Sequence, residues 1–95
     1  MDNFPSFWVV LNNIRYRFRF VKASQIPSDR VGDCDVRPPY TIRVRHALKK
    51  QVRMDTIIHE AIHAMFPKLG EKKVFQSAKE LANLLWRCGY RRVEQ

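Results

Sequence analysis

Thr56-Ile57-Ile58-His59-Glu60-Ala61-Ile62-His63-Ala64 is the stretch that decides the fold of this 95-residue chain. Its centre, residues 59–63, reads H-E-x-x-H inside an apolar run compatible with a helix. Residues four apart on an α-helix share one face, with Cβ atoms roughly 5–6 Å apart, so the imidazoles of His59 and His63 can converge on one tetrahedral cation. Glu60 is rotated by about 100° from His59 and stands beside such a cation rather than on it. From there its carboxylate can take a proton from zinc-activated water while the metal polarises a carbonyl. The pattern therefore predicts peptide-hydrolase chemistry, with His59 and His63 as metal ligands and Glu60 as catalytic base.

The competing explanation is a helix carrying two ordinary histidines and a surface glutamate. Three histidines and four glutamates in the whole chain make this spacing a poor product of chance. Ile57, Ile58, Ala61, Ile62, Ala64, Met65 and Phe66 also predict a largely buried helix, where ionisable groups are costly unless paired or bound to a metal.

A catalytic zinc usually takes three protein ligands and keeps an open position. Glu71 is the first choice for the third, because it opens the next helix after the four-residue turn Pro67-Lys68-Leu69-Gly70. An acid at that place also suits the helix dipole without any metal. Glu80, roughly 13 Å further along the same helix, ranks second. His46, after the last predicted strand, ranks third.

Around the motif the chain reads as one α+β domain over residues 1–95, with three strands packed on two helices. Phe7 to Leu11 is a β-rich run, Asn12-Asn13 suits a tight hairpin turn, and Ile14 to Val21 alternates strictly. Ile14, Tyr16, Phe18 and Phe20 should face the core, with Arg15, Arg17 and Arg19 opposite. Lys22 to Pro39, with three prolines, three aspartates and Gly32, reads as an irregular loop with a short turn at its start. Tyr40 to Arg45 alternates again as a third strand. The motif helix should run from about Gln51 to Phe66, since Pro67 cannot continue it. The second should span about 71–88 and close on Gly89, burying Val74, Phe75, Ala78, Leu81, Ala82, Leu85 and Trp86.

Composition narrows the partners. A hydrophobic fraction of 45% and an aromatic fraction of 12% argue against a disordered tail. Eighteen Lys and Arg against nine acids give a net charge of +9, spread over both halves, which suggests a polyanion or an acidic substrate. Arg15, Arg17, Arg19, Arg43 and Arg45 would line one sheet face without an acid among them, either as a nucleic-acid-facing surface or as a plain solvent face. No stretch is apolar enough to cross a membrane, and no signal-peptide pattern opens the chain, so a cytoplasmic protein is expected. Cys34 and Cys88 are too few for a disulfide framework and read as free, mostly buried thiols, with Cys34 near the metal as a minor alternative.

The motif run, then Leu69-Gly70-Glu71 and a helix ending Leu84-Leu85-Trp86-Arg87-Cys88-Gly89-Tyr90, resembles the small phage-type metallopeptidase-like proteins. More loosely it is similar to minimal gluzincins and SprT-like domains. The resemblance spans roughly residues 40–90. It implies a compact zincin core of an antiparallel sheet over two helices, Zn²⁺ on His59 and His63, Glu60 as base, and a downstream glutamate as third ligand. It also implies a setting in the host-cell cytoplasm if the chain is phage-encoded. The third histidine of metzincins is absent, and the gap from His63 to Glu71 is shorter than in most gluzincins.

The expected function is zinc-dependent hydrolysis of a peptide or protein. The substrate would add as a strand to the third strand, and Tyr16, Tyr40, Tyr90 or an arginine would stabilise the oxyanion. The alternative is a basic nucleic-acid-associated or protein-binding phage module with a structural or vestigial zinc site. A host-directed inhibitory protein with a closed metal site is a third.

Overall fold

Asn12 and Asn13 take φ of 54° and 59°, the pair of left-handed residues that a two-residue hairpin turn needs to match strand twist. The turn joins β1 (Ser6–Leu11) to β2 (Ile14–Val21) with Leu11 opposite Ile14. The alternation of β2 is realised in space: Tyr16, Phe18 and Phe20 are buried, and Arg15, Arg17 and Arg19 are exposed. The computed structural model describes residues 4–92.

The segment expected to be a loop holds a short 3-10 turn, Ala23–Gln25, and a strand, β3 (Gly32–Asp35). With β4 (Thr41–Arg45) it completes a four-stranded sheet in the order β1-β2-β4-β3. The expected three-stranded antiparallel sheet is thus corrected on two counts. β3 supplies a fourth strand, and β4 runs parallel to β2, with Arg19 opposite Arg43 and Phe20 opposite Val44. Both differences share one cause. After β2 the chain crosses to the far edge, returns as β3, and slots β4 antiparallel to β3 in the space between, which forces β4 parallel to β2. Gly32-Asp33-Cys34-Asp35 contains no β-branched or aromatic residue, so it carries little strand signal. Its ladder to β4 and the ion pair between Asp33 and Arg43 hold it instead.

α1 (Lys50–Met65) packs on the inner sheet face and α2 (Glu71–Arg87) on α1, both helices falling within a residue of expectation. Tyr16, Phe18, Phe20, Ile42, Val44 and Ala64 form the main core. A second cluster of Ile62, Val74 and Ala78 joins the helices. α2 ends in a Schellman arrangement: Gly89 at φ 91° donates to the Trp86 carbonyl, and Tyr90 donates to that of Leu85. Only part of the predicted apolar stripe of α2 is buried. Val74, Ala78 and Ala82 face inward, whereas Phe75 and Leu81 are exposed, as are Met65 and Phe66 at the end of α1. Among the described residues no helix is long and apolar enough to cross a membrane.

Candidate metal centre

Pro67 ends α1, and the turn that follows points α2 back along it, so Glu71, the first residue of α2, meets the last turns of α1. His59 Nε2 lies 2.8 Å from Glu71 Oε1, and His63 Nε2 lies 2.8 Å from Oε2. The two imidazole rings stand 5.0 Å apart between centroids. One ligand atom from each of the three residues falls within 4.8 Å of the others. Two imidazole nitrogens and one carboxylate are a donor set suited to zinc, and three protein ligands leave a tetrahedral position open. The residues present therefore fit a metal ion.

The other two ligand candidates are not in this group. His46 stacks on Phe4 with centroids 4.2 Å apart and meets Phe20 edge-on at 5.9 Å, which makes it a packing residue under the sheet. Glu80 faces Gln76 one turn away on α2 and lines a separate groove between the helices.

Glu60 sits between the group of His59, His63 and Glu71 and β3, with its side chain buried. Burial pushes its carboxyl up to about 7 from an ordinary 4.5; the negative charges of Asp33 and Glu71 add to the rise and Arg30 opposes it. A carboxylate with a pKa near neutrality can both accept and return a proton at working pH.

These groups line a cleft of ≈ 650 Å³ walled by β3 and the preceding loop on one side and by the two helices on the other. Five of the chain's nine acids line it, Asp29, Asp33, Asp55, Glu60 and Glu71, with Arg30 as the single Lys or Arg among its lining residues. Positive charge is thus displaced elsewhere on the surface. Tyr16 is buried in the core, and neither Tyr40 nor Tyr90 reaches the cleft, so Arg30 is the remaining oxyanion candidate. Cys34 lines the cleft too, but burial, reinforced by Glu60, pushes its thiol up to about 12, which favours the protonated form over the thiolate. Cys88 is exposed rather than buried.

Sequence reasoning missed the β3 wall. Gly32, Asp33 and Cys34 shape the cleft beside Glu60, yet no spacing rule marks them. β3 also displaces the expected substrate strand: the third predicted strand became the interior β4, and the sheet edge beside the cleft is β3.

The arginine face is changed as well. Asp33 of β3 lies opposite Arg43 and binds its guanidinium, which also donates to the Gln25 carbonyl at 2.8 Å. Arg45 turns to the carbonyls of Pro27 and Ser28. The expected acid-free strip of five is therefore reduced to Arg15, Arg17 and Arg19.

Comparison of the chain with protein-family models, with curated proteins and with solved structures finds no match in any of the three.

Proposed function

We propose that this protein is a zinc-dependent metallopeptidase acting on a peptide or protein. The observation that carries the proposal is the convergence of His59, His63 and Glu71 next to the buried carboxyl of Glu60 in an open cleft. Zinc held by these three residues would supply a Lewis acid that polarises the scissile carbonyl and acidifies water. Glu60 takes the proton of the attacking water and delivers it to the departing amine. Arg30, at the cleft wall, is the cation available to the developing oxyanion. Edge strand β3 offers its unpaired backbone groups to an extended substrate, which would lie over the cleft as an added strand. A cytoplasmic setting belongs to the same proposal, supported by two cysteines that are both free.

The test is elemental analysis of the purified protein followed by cleavage of a peptide library by wild type and Glu60→Gln. About one zinc per chain should be found in both, with cleavage by the wild type alone. A protein that takes up no zinc, or a variant that cleaves as well as the wild type, would overturn the proposal.

A further inference from the structure

The outer face of the sheet, turned away from the cleft, divides into two electrostatic halves. On the β3–β4 half, Arg43 and Arg45 are held by Asp33 and by loop carbonyls. On the β1–β2 half, the outward residues are Ser6, Trp8 and Val10 opposite Arg19, Arg17 and Arg15, and none is acidic. Arg15, Arg17 and Arg19 are all exposed, and alternate residues of one strand stand only about 7 Å apart. Like charges held this close repel each other, an arrangement that a polyanion would relieve.

At the centre of this half lies an exposed aromatic. Trp8 is 52% exposed, and its ring is approached by the guanidinium carbons of Arg15 at 4.4 Å and Arg17 at 5.2 Å from the centroid. Arg17 is steadied by donating to Ser6 Oγ at 3.0 Å. The group opens into a shallow depression of ≈ 550 Å³ bounded by Arg19, Pro39, Tyr40 and Thr41. An indole and planar guanidiniums on a flat strand surface combine the two parts of a single-strand platform: π faces on which bases stack, and cations that follow the backbone.

We propose that the β1–β2 face binds single-stranded nucleic acid, with a base stacked at Trp8 and phosphates held by Arg15, Arg17 and Arg19. An unpaired strand is favoured over a duplex because stacking at Trp8 requires a base face that a helix keeps closed. The inner sheet face carries α1, so the metal cleft stays open while the outer face is occupied. This binding is separate from the peptidase reading and stands or falls independently of it.

The test is fluorescence anisotropy of the full chain with a labelled oligothymidine of roughly 15 nucleotides, the matched duplex as competitor, over a salt series. The logarithm of affinity should fall with the logarithm of salt with a slope of about −2, from about 0.7 per phosphate contact. Arg15→Gln and Arg17→Gln should each reduce that slope by about 0.7. Trp8→Ser should weaken binding roughly 5–100-fold, and Trp8→Phe, which keeps the ring and guards against a folding artefact, should recover most of it. Lys72→Gln and Lys73→Gln, exposed on α2, should change nothing. No binding at low salt, equal losses from the α2 lysines, or a duplex preferred with no Trp8 effect would overturn the proposal. So would attachment to phosphatidylserine vesicles in place of the oligonucleotide.

Discussion

Gly32 lies directly against Glu60: a Cβ added at Gly32 would come within 3.2 Å of Glu60 Oε2, 2.7 Å of Thr56 Cγ2 and 3.1 Å of the Arg43 carbonyl oxygen. Strand β3 can therefore pass this close to the motif helix only with a glycine at that position. The Thr56 hydroxyl is tied to the Val52 carbonyl at 2.8 Å and the Arg43 oxygen belongs to the β4 backbone, so neither yields freely. Gly32→Ala should destabilise the fold by about 1–3 kcal/mol through overpacking. It should also shift the Glu60 carboxyl, lowering cleavage more than zinc affinity. Thermal melting, zinc titration and peptide cleavage check this, and unchanged cleavage would remove Gly32 from the site.

Glu71 ties the second helix to the first, since each of its oxygens meets one histidine. Glu71→Ala should weaken zinc binding by more than the roughly 10–100-fold that loss of a merely supporting residue costs. Glu80→Ala, with the same charge change on the same helix, should leave zinc affinity unaltered. Competition titration with a chromogenic chelator reads both. Equal losses would show that bulk charge, rather than ligation, holds the metal.

Burial of Glu60 has a consequence for stability in the metal-free protein. Its carboxyl keeps a proton up to about 7 when folded and releases it near 4.5 when unfolded. Between those values the folded state binds more protons, so stability is highest at the acid end, falls as pH rises, and levels off above about 7. The full difference corresponds to roughly 3 kcal/mol, at about 1.4 kcal/mol per pKa unit. Glu60→Gln cannot titrate. It should match the wild type near pH 4.5 in zinc-free buffer and exceed it by up to about 3 kcal/mol at pH 8. Urea unfolding at the two pH values checks it, and a gap that is constant with pH would contradict the burial argument.

How far the sequence disclosed this molecule depended on whether each signal was local. The hairpin was readable because Asn12-Asn13 separates two β-rich runs, and both helix ends because Pro67 and Gly89 act within a turn of where they sit. The group of His59, His63 and Glu71 was readable for the same reason: i,i+4 spacing places the first two, and a four-residue turn limits where the third can go. β3 was not readable. Its four residues are polar or small, and what makes them a strand is the pairing of Asp33 with Arg43, ten residues away. The parallel pairing of β2 with β4 follows from that unseen strand, so the missed strand and the wrong sheet topology are one error. The α2 stripe was overread because periodicity marks an apolar face without saying how wide its partner is. Among the described residues α1 is the main element packed on α2: Ile62 and Ile58 cover Val74 and Ala78, whereas Leu81 stays exposed, as does Phe75 although its ring meets that of His59 edge-on at 6.4 Å between centroids.

The packing of α2 on α1 also bears on the spacing of His59, His63 and Glu71. Ala78 is fully buried beside Ile62 and Val74, between the helix that carries both histidines and the helix that begins with Glu71. A larger side chain there must push the helices apart or force neighbours off their rotamers, at a cost of about 1–3 kcal/mol. Because Glu71 is fixed to α2 and the histidines to α1, separation of the helices also stretches the ligand set. Ala78→Leu should therefore lower the melting temperature and weaken zinc binding roughly 10–100-fold, as loss of ligand support does elsewhere. Leu84→Ala, exposed on the same helix, should stay within about 0.5 kcal/mol of wild type and bind zinc normally. Differential scanning calorimetry with and without zinc separates the two effects. If Ala78→Leu loses stability yet keeps its zinc affinity, the ligand spacing is set by the local turn at residues 67–70 rather than by the packing of the helices.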